Sequence, residues 1–217
     1  MTLLTSIWFR CHGATSLTDA GGAIAGVISG ALALTIPLRH VHSAATRLAL
    51  LMFGAISLLW VAAQLISHPA FDRDDWHFIA QRMHWSWLWR PTLALIGVVS
   101  YAATVRGIVS RLQDPGAPSS PAIRLAYVAA AMSAAAAGLM WPPQPIRSAA
   151  EGLLTLGVAP LGLLLATRLS DAKQTQHGDA PIARSWSVVL LSLVSFAAFA
   201  LIQGRGLGPL ADVPLVH

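Results

Sequence analysis

Residues His68 to Pro91, HPAFDRDDWHFIAQRMHWSWLWRP, gather acids, histidines, arginines and tryptophans within one short stretch, while the sequence on either side is apolar. Runs of Ala, Leu, Val, Ile and Gly flank it, each near the roughly 20 residues that carry a helix across a bilayer's hydrocarbon. The stretch therefore reads as a polar cap between two membrane spans, and this reading sets the fold.

Composition points the same way. Hydrophobic residues make up 55% of the 217 and charged residues 11%, against roughly 25% charged in soluble domains. A water-soluble fold cannot bury so much apolar surface. The net charge of +5 comes almost wholly from arginine, since Lys173 is the single lysine. These arginines stand at the ends of apolar runs, where they set orientation and meet lipid headgroups. No basic run or nucleic-acid motif accompanies them, so the expected partner is the lipid bilayer and not nucleic acid. Cys11, the only cysteine, permits no internal disulfide and no paired-thiolate metal site. The segment MTLLTSIWFRCHGATS lacks a secretory signal's basic start and apolar core. It is expected to be retained, with Trp8 and Phe9 at headgroup depth.

The pattern predicts an all-α, polytopic transmembrane bundle forming one domain over 1–217, with about six spans at 21–38, 47–67, 91–108, 123–140, 146–169 and 183–202. In the first, Gly22, Gly26 and Gly30 repeat every fourth residue and leave one helix face almost without side chains. Such a face lets another backbone approach closely, either within the chain or as a homo-oligomer seam or a seam with another membrane subunit. SAAAAG in the fourth span is a second such surface. Pro91 suits the first turn of the third span, where no N–H donor is needed. RLQDPGAPSSP reads as a loop and WPPQP as a tight turn. Pro160 predicts a kink in the fifth span, with neighbouring helices satisfying the freed carbonyl.

With six spans the loops alternate sides. One side gathers Arg39, Arg47, Arg106, Arg111, Arg124, Arg168, Lys173 and Arg184 against Asp114, Asp171 and Asp179; the other balances six arginines with five aspartates. The positive-inside tendency turns the first side to the cytoplasm of a bacterial inner membrane, with the cap and both termini outward. An outward N-terminus raises the alternative that residues 1–18 cross or re-enter the membrane.

The sequence has no HExxH, no GxSxG with triad partners and no phosphate-cradling GxxxxGK[ST]. All eight histidines lie at span ends or in loops, which argues against a haem held between facing helices. In the cap, a short helix from Asp74 to Trp85 would put His77, Gln81 and His84 on one face, with Asp74, His68 and Asp72 nearby. Imidazole and carboxylate are ligands for a divalent transition metal. Two helical turns separate His77 from His84, though, about 10 Å of rise. The competing reading is an amphipathic interfacial helix with Trp76, Phe78, Ile79, Met83, Trp85, Trp87 and Trp89 at headgroup depth and its acids in water. Glu151, the only glutamate, and Gln64 are the intramembrane polar candidates. Arg147 precedes Glu151 by four residues, the spacing of an ion pair on one helix face.

Three segments, GGAIAGVISG, DDW followed by WLWRP, and IRSAAEGLLTLGVAPLG after its Pro-rich turn, resemble bacterial polytopic proteins similar to site-2-type membrane metalloproteases. The likeness covers about residues 20–170. It implies zinc chemistry from an HExxH in an early helix. Here only His12-Gly13 stands in such a place, so no catalytic residue carries over. The resemblance implies an inactive relative or one lacking the zinc-holding helix. Apart from it no cofactor is expected. The expected role is structural, accessory or small-solute-handling, with a proton- or cation-coupled transporter using Glu151 as a further alternative.

Overall fold

A computed structural model describes residues 15–71, 74–140 and 144–172. Every regular element among them is helical: α1 (Ser16–Thr35), a 3-10 turn (Leu38–His40), α2 (Ala44–Phe71), α3 (Asp74–Arg82), α4 (Trp89–Leu112), α5 (Ser120–Leu139) and α6 (Pro145–Leu153). A π-helical turn (Leu154–Val158) and a 3-10 turn (Ala159–Leu161) then lead into α7 (Gly162–Asp171).

Four helical stretches, Ala44–Phe71, Trp89–Leu112, Ser120–Leu139 and the continuous Pro145–Asp171, are long and apolar enough to cross a membrane. They match the second to fifth expected spans. α1 holds a shorter apolar stretch, Asp19–Thr35. It begins ahead of the expected Gly21 and stops at Thr35 instead of Leu38, because Pro37 disfavours helical backbone at Ile36. The expected sixth span at 183–202 lies outside the described residues.

α2 is the central helix, packed against α1, α4 and the broken segment before α7. The core is small: Leu51, Ala55 and Leu59 of α2 meet Val105, Ile108 and Leu112 of α4, Ile123 and Tyr127 of α5, and Leu163 and Ala166 of α7. Around it Val98, Val99, Leu125, Met132, Leu154 and Leu165 are all exposed. A bundle with branched side chains outside and small residues at its seams is organised for lipid rather than water.

The glycine face of α1 turns inward. A Cβ on Gly26 would stand 2.9 Å from Val61, and one on Gly30 3.0 Å from Ser57 and Leu58. Gly54 returns the contact, 3.0 Å from the Gly30 carbonyl oxygen. Gly22 meets nothing within 4 Å, so Gly26 and Gly30 form the seam and α2 fills it. SAAAAG likewise serves packing within the chain: a Cβ on Gly152 would lie 2.5 Å from the Ala134 carbonyl oxygen, closing α5 against α6.

Polar contacts tie the two ends. Where α1 leads into α2, Arg47 donates to the Val41 carbonyl (2.6 Å) and to the Gly116 carbonyl (3.1 Å). Arg111 pairs with Asp114 at 3.1 Å and Arg124 with Asp171 at 2.5 Å at the same end. At the opposite end Arg82 of α3 pairs with Asp19 of α1 at 2.5 Å.

Candidate functional site

Two places concentrate polar chemistry, the cap and the break before α7. In the cap, α3 buries Ile79 and Ala80 and leaves Phe78 exposed, packing against α1 and α2. Ile79 thus faces protein, where the interfacial-helix reading gave it to headgroups. Beyond α3, Met83, Trp85, Trp87 and Leu88 are exposed, Trp87 at 78%. A shallow groove of about 320 Å³ runs between Trp85, Ser86, Leu88, Trp89, Thr92 and Leu93.

The expected helix through Trp85 is corrected. α3 ends at Arg82, and His84 takes a left-handed backbone (φ 50°). The His84 N–H donates to the Gln81 carbonyl (3.3 Å) and the Trp85 N–H to the Ala80 carbonyl (3.0 Å). That pair of bonds is a Schellman termination, usually built on glycine. It takes His84 off the helical face of His77 and Gln81. Of the other metal candidates, His68 is half-buried in the last turn of α2, Asp72 lies outside the described residues, and so does the side chain of Asp74. Among the described residues no three His, Cys, Asp or Glu side chains come together as a metal site.

Glu151 lies on α6. The Arg147 Nε donates to its carboxylate at 3.3 Å, with the side chains 45% and 18% exposed respectively. The Gln144 side-chain oxygen accepts from Arg147 at 3.4 Å. Gln64 is half-buried on α2, and no hydrogen bond joins it to Glu151 among the described residues.

The break was half legible. Pro160 has no N–H to offer the turn before it, and its ring excludes regular helix there. The chain responds by widening into the π turn, tightening to 3-10 and leaving helical geometry at Pro160 itself (φ −90°, ψ 22°). Pro160 is buried, so the disturbed backbone needs partners from protein. Tyr127 of α5 donates its hydroxyl to the Gly157 carbonyl. Tyr101 of α4 donates to the Ala159 carbonyl at 3.0 Å and accepts the Gly162 N–H at 2.7 Å. Gly162 is required there: a Cβ would lie 2.9 Å from the Tyr101 ring and 2.7 Å from Val105. Sequence reasoning missed both hydroxyls. The available signal was that the only two tyrosines of the chain fall inside apolar spans.

Comparison with protein-family models, with curated proteins and with solved structures yields no match for this chain.

Proposed function

We propose that this chain is a multi-pass protein of a bacterial inner membrane, with about six spans including 21–38 and 183–202, that serves as a structural or accessory component. The observation that carries this reading is where its charged groups stand. No Asp, Glu, Lys, Arg or His occurs at 48–67, 91–105, 125–139 or 152–167. Asp19, Asp114, Glu151 and Asp171 each pair with an arginine near a bundle end. Both tyrosine hydroxyls are spent on backbone. A proton or cation relay through the apolar middle would require ionisable groups there. In this account the cap faces outward, because among the described residues its end holds Arg82, Arg90 and Arg147 with four acids, while the opposite end holds six arginines and two aspartates.

Small-solute handling is the second reading, and the broken helix favours it, since discontinuous helices line substrate sites in transporters. Flux assays on reconstituted vesicles separate the two. The structural reading expects Glu151→Gln to leave proton-linked and cation flux at the level of empty vesicles, as the wild type does; flux above that level, lost on substitution, would replace it with a transport function.

A further inference from the structure

Among the described residues of the basic end, Arg106 and Arg168 enter no ion pair or hydrogen bond, and Arg106 of α4 is the one that stands back from the helix end. On α4, Gly97, Val105, Ile108 and Leu112 are buried. Val98, Val99, Ala102, Ala103, Arg106, Gly107 and Ser110 recur at helical spacing on the exposed side. That stripe faces lipid in the membrane reading, on which this inference rests. Arg106 lies six residues before the end of α4, about 9 Å along the axis. Among the described residues its guanidinium has no ion pair or hydrogen bond, because Asp114 and Asp171 are taken by Arg111 and Arg124.

A charge in that position is costly unless an anion meets it. The surroundings admit one. A Cβ on Gly107 would meet nothing within 4 Å, and the neighbouring Ala102 and Ala103 are small. Ser110, one turn on, lies on the same face. Ser29, Thr155 and Thr167 turn their hydroxyls back onto carbonyls of their own helices; the Ser110 hydroxyl makes no such bond among the described residues. Guanidinium and hydroxyl together suit a phosphate oxygen, and the excess of arginine at this end selects a headgroup with net negative charge.

We infer that Arg106 and Ser110 form a binding site for the phosphate of an anionic phospholipid, in the leaflet at the arginine-rich end of the bundle.

The test is native mass spectrometry of full-length protein released from vesicles of mixed phosphatidylglycerol and phosphatidylcholine. The wild type retains phosphatidylglycerol in preference. Arg106→Gln lowers that preference about fivefold, Arg106→Lys keeps most of it, and Ser110→Ala lowers it by a smaller factor. Inorganic phosphate does not displace the lipid. Equal retention of the two lipids by the wild type, or an unchanged preference in Arg106→Gln, overturns the site, and displacement by inorganic phosphate makes it a phosphate site instead. Should Arg106→Gln fail to insert, an unchanged preference in Ser110→Ala overturns the inference. Release of the wild type from membranes by alkaline carbonate would instead overturn the membrane reading beneath it.

Discussion

The Tyr101 hydroxyl bridges the gap that Pro160 opens, taking the Gly162 N–H at 2.7 Å while donating to the Ala159 carbonyl on the other side of the proline. A helix broken among apolar neighbours thus has backbone groups on both sides of Pro160 met by one side chain of α4, while Tyr127 of α5 serves the Gly157 carbonyl one turn earlier. Tyr101→Phe preserves the ring and removes the bridge. It should destabilise the protein by about 1–3 kcal/mol, read as a lowered unfolding midpoint in detergent. Tyr127→Phe, which deprives only the Gly157 carbonyl, should cost about 1 kcal/mol. An unchanged midpoint in Tyr101→Phe would show that the bridge does not hold the break.

The α1–α2 seam predicts a sharp contrast between glycines of one motif. Gly30→Leu drives a side chain into Ser57, Leu58 and the Gly54 carbonyl and should cost about 1–3 kcal/mol or detach α1. Gly22→Ala points into open space and should be neutral or stabilising by up to about 1 kcal/mol, from helix propensity alone. Melting the two variants side by side checks this, and equal effects would contradict the seam.

His84 holds a left-handed backbone that glycine adopts without strain. His84→Gly should leave stability unchanged or raise it by up to about 1 kcal/mol, and His84→Val should lower it by about 1–2 kcal/mol. Limited proteolysis of the 83–88 turn gives a local readout, with faster cleavage expected in the valine variant alone.

Much of this was readable in advance. Four helices long and apolar enough to cross a membrane announce themselves as long apolar runs, and the four-residue spacing of Arg147 and Glu151 allowed the ion pair that the structure holds within one helix. The remainder depends on partners far apart in sequence. Tyr101 meets residues 58 and 61 positions away, and Asp19 meets Arg82 across 63. Gly54, the counterpart of Gly30, carries no motif of its own. The end of α3 escaped notice because a Schellman turn on histidine lacks the usual glycine signal.

The Arg147–Glu151 pair is a nearly half-exposed guanidinium against a mostly covered carboxylate. Partial exposure limits its worth to about 0–1 kcal/mol. Arg147→Gln and Glu151→Gln should each shift the unfolding midpoint only slightly, and the double variant should match the sum within error if the pair contributes little. A loss well beyond that range in either single variant would assign Glu151 a larger role than pairing.

The central claim is that the cap and the arginine-rich end lie on opposite faces of a membrane. Single cysteines placed at Ser86 and at Ala117, in a Cys11→Ser background, test it directly with a membrane-impermeant maleimide on intact cells. The account predicts that the cysteine at 86 is labelled from outside and the one at 117 only after the membrane is opened. Labelling of both positions from the same side would contradict it.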